Sequence, residues 1–175
     1  MLTFLNMDVE GFCSIESLHL QLNPTCTMLI KAPNGKGKST ILSALVWAIY
    51  GKNLKGVSEV NTWKQIRPKE YQGTKVQVYF QKDSHTYKVI RCQKYDGLLD
   101  DGSKGKDRLI IIKDGDTIDV KGKGKIQDVI NREIGLSYTL FMNSIMFGQG
   151  IKRLIQESNS DKKKIFEEVF DLEFL

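Results

Sequence analysis

The residues best suited to chemistry stand together at positions 34–40, Asn-Gly-Lys-Gly-Lys-Ser-Thr. Gly35 and Gly37 let the backbone curl tightly, so that several N–H groups point at one centre. Lys38 can reach the β- and γ-phosphates of a nucleoside triphosphate, and the Ser39 hydroxyl can sit on Mg2+. When such a loop opens a helix, the helix dipole favours the same anion. The usual spacing is G-x-x-x-x-G-K-[ST]. Ala32 stands here in place of the first glycine. That is the smallest change, but alanine resists a positive φ. Lys36 fills a variable slot, where it either adds charge near the phosphates or faces solvent. A Lys/Gly-rich surface turn would share this composition, so the flanking elements must decide.

Residues 26–30, Cys-Thr-Met-Leu-Ile, form a short apolar run. Such a run predicts a strand buried on both faces. After the loop, Ile41, Leu42, Leu45, Val46 and Ile49 repeat with helical spacing and form one apolar stripe, with Gly51 placed as C-cap. The predicted order is therefore buried strand, glycine-rich loop, amphipathic helix. Upstream, residues 2–9 predict a first strand ending at Glu10-Gly11. Residues 18–22 (LHLQL) alternate as a half-buried strand. Downstream, 52–73 is polar and irregular. Val76, Val78 and Phe80 alternate with Lys75, Gln77 and Tyr79, and residues 86–92 (TYKVIRC) read as the hairpin partner. Residues 95–107 read as a flexible excursion. LIIIK (109–113) and TIDVK (117–121) flank Asp114-Gly115, a strong hairpin signal. Ile126, Val129 and Ile130 predict a helix stopping at Gly135. Ser137 can cap a second carrying Leu140, Phe141 and Ile145. Residues 158–161 can cap a third with Ile165, Phe166, Val169 and Phe170 on one face. That last pattern is still running at Leu175, as in a piece of a longer protein.

Composition sets limits. The chain has 175 residues, 41% hydrophobic and 27% charged, which suits one globular domain and excludes a disordered tail or a collagen-like fibre. No apolar run reaches the roughly 18–20 residues of a membrane helix, so no membrane partner is expected. The opening residues do not read as a signal peptide, which predicts a cytoplasmic protein. Cys13, Cys26 and Cys92 are widely spaced and suit reduced thiols rather than a zinc site. The net charge of +5 is compatible with phosphate-bearing partners. His19 and His85 read as ordinary surface histidines.

Asn34 before Gly35, with Gly37, Lys38, Ser39 and Thr40, resembles the ABC-type ATPase version of the phosphate loop. Further features resemble the SbcC/SMC-like branch, the ATPase subunit of the double-strand-break repair nuclease, which bacteriophages also encode. They are the strand ending in Gly11-Phe12, followed by Ser14 and a strand with Leu18, Leu20 and Leu22; the helix ILSALVWAIYGK (41–52); the pair VQVYF (76–80) and YKVIR (87–91), ending in Arg91; the segment IGLSYTLFMNSIMFGQG (134–150); and the helix from Asp161 to Asp171. The resemblance covers residues 2–175. It implies an α/β fold: the N-terminal lobe of a P-loop, ABC-type ATPase head. Residues 2–51 would form the strand, loop and helix core. Residues 74–121 would form an antiparallel β layer, and 126–175 a helical segment running toward a coiled coil.

The resemblance makes Asn34, Gly35, Lys36, Gly37, Lys38, Ser39 and Thr40 nucleotide-binding residues, with ATP and Mg2+ as cofactors. It makes Lys38 and Gln149 catalytic, and Ser39 and Gln149 contacts of Mg2+. By residue type alone, Gln149 between two glycines reads either as a γ-phosphate sensor on a hinge or as a solvent-facing loop residue. Cys13 stands where many relatives carry a basic residue. A Ser-Gly-Gly signature, an Asp-Glu strand and a switch histidine are not found, so the resemblance implies an ATP hydrolase completed by a C-terminal half. The implied partners are that half, a second head as homodimer, a metal-dependent nuclease subunit and double-stranded DNA. The implied site of action is the cytoplasm, a host's if the gene is a phage's. Lys104, Lys106, Lys121, Lys123, Lys125, Lys162, Lys163 and Lys164 form basic clusters that either grip DNA phosphates or are a solvated face. The alternatives are a chromosome-organising SMC-type ATPase, a nucleotide-binding module without hydrolysis, a small kinase and a transporter ABC subunit.

Overall fold

The computed structural model describes residues 1–23, 27–58, 72–120, 123–146, 156 and 158–170. Two compact units are present, Met1–Ile134 and Gly135–Leu175. The first is built on a six-stranded antiparallel sheet. Its strands are β1 (Leu2–Phe12), β2 (Ile15–Gln21), β3 (Thr74–Lys82), β4 (His85–Gln93), β5 (Leu109–Lys113) and β6 (Asp116–Thr117). The spatial order is β2-β1-β3-β4-β5-β6. Helices α1 (Lys38–Tyr50) and α2 (Lys123–Ile134) pack together, α1 on β1, β3 and β4, and α2 on β5.

Register explains that core. Met7 stands opposite Val78, Val78 opposite Val89, and Val89 opposite Ile111. This row is fully buried. Each such side chain contributes about 1.5–3 kcal/mol by leaving water. A neighbouring row holds Phe4, Phe80 and Tyr87, with Phe80 and Tyr87 stacked at 4.8 Å. The third row reads Val9, Val76, Arg91, Leu109, so a guanidinium enters an otherwise apolar line. The hairpin turns match their residues. Asp114 and Gly115 both take positive φ, 51° and 95°, as a two-residue turn between twisted strands requires.

Four expectations need correction. Residues 27–33 form no regular structure, and Leu29 is 84% exposed. A strand is held by its neighbours' hydrogen bonds, and no strand among the described residues pairs with this run. The run's first residue, Cys26, lies outside the described residues. The 95–107 excursion is a packed strap rather than a flexible loop. Tyr95 and Leu99 bury with Ile90, Cys92 and Ile110 on the sheet's second face. Lys75 and Gln77, which stand opposite Cys92 and Ile90 of that cluster, are buried as well. Helix α1 is buried all round from Ala44 to Tyr50, while Leu42 is exposed, so one stripe is too narrow a description. Finally, β6 is only two residues long, although Ile118 N–H still donates to Ile111 O.

Two polar networks brace this unit. On the second face, Glu10 accepts from Tyr95 Oη (2.7 Å) and pairs with Lys75 Nζ (2.7 Å). Burial pulls the Lys75 ammonium down, but the Glu10 carboxylate outweighs it and holds Lys75 above its ordinary value. At the far end, Glu133 accepts from Tyr87 Oη at 2.7 Å, with Lys113 Nζ at 3.6 Å. The Tyr87 hydroxyl, then Lys113, holds the Glu133 carboxyl below its ordinary value. A depressed carboxylate adds stability that is complete above the unfolded pKa and is lost as pH falls through the folded one. Glu133→Gln should therefore cost about 1 kcal/mol at neutral pH and much less near pH 3, below the ordinary carboxylate range of about 4. Urea unfolding at both pH values reads this. Burial also pushes the Cys92 thiol up to about 12. In the native chain Cys92 should resist iodoacetamide at about pH 8, and react once urea unfolds the sheet. Peptide mass spectrometry reads the difference.

In the second unit, α3 (Tyr138–Ser144) starts at Ser137, whose hydroxyl accepts from Leu140 N–H at 3.1 Å. Phe141 and Met142 are buried, whereas Ile145 lies just past the helix and is exposed. Helix α4 (Asn159–Phe170) follows Ser158, whose hydroxyl accepts from Asp161 N–H. Ile165 is buried but Phe166 is exposed, because neighbouring residues lie about 100° apart around a helix.

Candidate phosphate-binding site

The loop 34–37 delivers the chain directly into α1. Gly35 and Gly37 take φ of 79° and 84°, the left-handed region that costs other residues strain. Gly37 is the N-cap, and no side chain caps the helix. No acidic residue lies in its first turn either. Thr40 and Ile41 N–H donate back to Gly37 O. Uncapped first-turn N–H groups and the positive end of the dipole therefore face the loop.

Lys38 folds into that curve. Its Nζ donates to Ala32 O at 2.6 Å and Pro33 O at 3.0 Å. The ammonium thus sits inside the loop, where an incoming phosphate would exchange carbonyl partners for its own oxygens. Asn34, Gly35, Lys36 and Ser39 are exposed, and Thr40 is half-buried. The structure brings residues 34–40 together around one turn, while Gln149 lies outside the described residues.

Other residues set this geometry. The β1–β2 turn reaches the loop: a methyl on Gly37 would stand 3.0 Å from Ser14 Oγ. Cys13 occupies the same turn with φ of 51°. Phe12 at the end of β1 packs on Trp47 of α1, with centroids 5.5 Å apart. Thr74 Oγ1 donates to Gly11 O and ties β3 to that end of β1. At the other end of α1, Arg91 Nε donates to Ala48 O and its Nη2 to Ile49 O. Sequence reading singled out none of Ser14, Trp47 or Arg91 as positioning groups. For Arg91 a signal existed, since a charged residue stood at an inward position of an apolar strand.

Among the described residues no group of three His, Cys, Asp or Glu side chains could hold a metal alone. Ser39, in the first turn of α1, presents an exposed hydroxyl beside the loop.

A family model described as an AAA domain matches residues 6–174. The chain is 26% identical over 170 residues to a DNA double-strand break repair Rad50 ATPase of Methanopyrus kandleri, covering 94% of this chain and 18% of that protein. It is 25% identical over 157 residues to exonuclease subunit 2 of Escherichia phage RB69, covering 89% and 25%. Among solved structures, the recombination mediator RecF bound to ATP aligns with a TM-score of 0.47 at 19% identity, over 71% of this chain and 30% of that one. The chain thus spans a quarter or less of the two curated relatives. The fold is that of a phosphate-loop ATPase, with an antiparallel layer and helices as in the N-terminal lobe of an ABC-type head. Matched from residue 6 to residue 174, the chain belongs to the AAA domain family, on the branch of SbcC- and Rad50-like ATPases.

Proposed function

We propose that this chain is the ATP-binding N-terminal part of a DNA-repair ATPase head. One observation carries the reading: a glycine loop with Lys38 folded inside it opens an uncapped helix. In this reading Asn34–Thr40 cradle the triphosphate. Lys38 neutralises the β- and γ-phosphates, Ser39 contacts Mg2+, and Gln149 contacts Mg2+ and the attacking water. A C-terminal half supplies the remaining catalytic groups, in the same polypeptide or a partner. Two heads close on two nucleotides, and that closure controls a nuclease subunit acting on DNA ends. The kinship to a break-repair ATPase and a phage exonuclease subunit supports this assignment.

DNA contact is the second part of the proposal. Lys104, Lys106 and Lys125 are exposed, and none forms an ion pair among the described residues. Lys163 differs, because Glu167 stands 3.5 Å away on the same helix face. The test is ATP turnover by the protein purified from its natural source, with and without double-stranded DNA. DNA-stimulated turnover, weakening steeply as salt rises, is the expected result. ATP binding without turnover would instead favour a nucleotide-binding module. Turnover indifferent to DNA at every salt concentration would remove the DNA partner.

A further inference from the structure

The phosphate loop stands at one end of α1, and the most elaborate polar arrangement in the first unit stands at the other. Arg91 comes from β4 at a position where its row neighbours, Val76 and Leu109, are buried and apolar. Its Nε donates to Ala48 O at 2.9 Å and its Nη2 to Ile49 O at 3.1 Å. Nη2 also donates to Gln127 Oε1, from α2. Gln127 Nε2 in turn donates to the same Ile49 O at 2.9 Å. The guanidinium lies against the Trp47 ring, 5.8 Å from its centroid. Gly51 permits this approach, since a methyl there would stand 3.0 Å from Nη1.

No carboxylate pairs with Arg91 among the described residues. Its charge is answered by the carbonyl end of the α1 dipole instead. A pocket of about 350 Å³ beside it is lined by Arg91, Trp47, Asp107, Arg108 and Gln127. Burial pushes Arg91 down to about 10, so it remains cationic at neutral pH.

We infer that Arg91 and Gln127 are positioning residues for the phosphate loop, clamping the far end of α1 so that its N-terminus is aimed. The physical reason is leverage. Apolar packing around Ala44–Tyr50 is non-directional and tolerates small pivots of the helix. Hydrogen bonds to two successive carbonyls, from two different elements, do not. Helix α1 has 13 residues, about 20 Å of rod, so a tilt of about 10° at one end moves the other by roughly 3 Å. A misplacement of about 1 Å is enough to cost on the order of a hundredfold where several groups must converge on one ligand.

The inference deepens the ATP reading and rests on it for function, but its geometry is measurable without nucleotide. The experiment is hydrogen exchange of the full chain, with no nucleotide present, resolved by peptide. The variants are Arg91→Lys and Gln127→Leu, with Leu99→Ala as a control that loosens the opposite face of the sheet. Lysine keeps the charge but lacks the fork that reaches both carbonyls. Gln127→Leu removes α2's share without touching the charge. Exchange at the Thr40 and Ile41 amides, which donate to Gly37 O, should rise about tenfold in both variants, and stay unchanged in Leu99→Ala at a matched loss of melting temperature. Affinity for a fluorescent ATP analogue should fall about tenfold in the same two variants. Unchanged exchange at Thr40 and Ile41 in both clamp variants, or an equal rise in the control, overturns the inference. Altered exchange in a chain whose parent form binds no ATP would retain the clamp and sink the ATP reading alone.

Discussion

Lys38→Ala should lower affinity for ATP·Mg2+ by at least about a hundredfold, or about 2.7 kcal/mol, and barely change the melting temperature. The two effects separate because the ammonium does different things with and without a ligand. In the free chain it bonds two loop carbonyls, Ala32 O and Pro33 O, at a partly exposed site. Water replaces such bonds readily, so their net contribution is about 1 kcal/mol or less. Against a triphosphate the same group faces concentrated negative charge at a helix N-terminus, where charge-assisted bonds are roughly twice as strong as neutral ones. Lys38→Arg is the informative companion. It keeps the charge, but a planar guanidinium is broader than the ammonium that meets Ala32 O and Pro33 O, so it should rescue little. Isothermal titration with ATP·Mg2+ and a thermal melt read both quantities. Retained tight affinity in Lys38→Ala would end the phosphate-loop assignment.

Much of this arrangement was legible because local chemistry and global fold agree. The two-residue turn at Asp114-Gly115 and the alternation of Val76, Val78 and Phe80 each specify a hairpin without help from elsewhere. Gly51 ends α1 with φ of 69°, as its type and place suggest. The conformation of the loop was legible for the same reason, since its glycines and the helix start are set locally. Pairing Phe166 with Ile165 on one face was a local miss, but the larger misses are non-local. The run 27–30 has the composition of a buried strand, but composition cannot supply the neighbour that would pair with it. Lys75 alternates with apolar residues, but it is buried against Tyr95 of the strap after β4, with Nζ 5.0 Å from the ring centroid. The 95–107 segment is rich in Gly, Asp and Lys, which is why it reads as flexible. Its order rests on Tyr95 and on glycines small enough to pack against that ring: a methyl on Gly105 would stand 2.4 Å from Tyr95 Cδ1. Arg91 belongs to the same class, because its partners on α1 and α2 lie 42 or 43 and 36 residues away in sequence.

That strap makes Gly73→Ala a severely damaging single methyl. Gly73 enters β3 with φ of 97°, and a Cβ there would lie 1.9 Å from Lys94 O, 2.3 Å from Lys94 C and 2.4 Å from Tyr95 Cα. None of these atoms is the tip of a flexible side chain. Moving them means moving the start of the strap, which is tied to its surroundings. Asp96 N–H donates to Gln72 O at 2.6 Å, and Lys94 N–H donates to Asp107 at 2.8 Å. Moving Gly73 instead would disturb Thr74, which stands opposite Gln93 and donates to Gly11 O beside the phosphate loop's supporting turn. The expected loss is about 4 kcal/mol or more, at the upper end for point substitutions and a large share of a domain's total stability. Gly102→Ala sets the scale. Its φ is also positive, at 74°, but a methyl there meets nothing within 4 Å. It should cost only the left-handed penalty, about 1–2 kcal/mol. Urea unfolding of the two variants side by side isolates the steric share. Equal losses would mean that the strap does not close over β3, and Lys75 would then return to solvent. A larger loss for Gly73→Ala would tie the cover over the sheet's second face to the strand that braces the site.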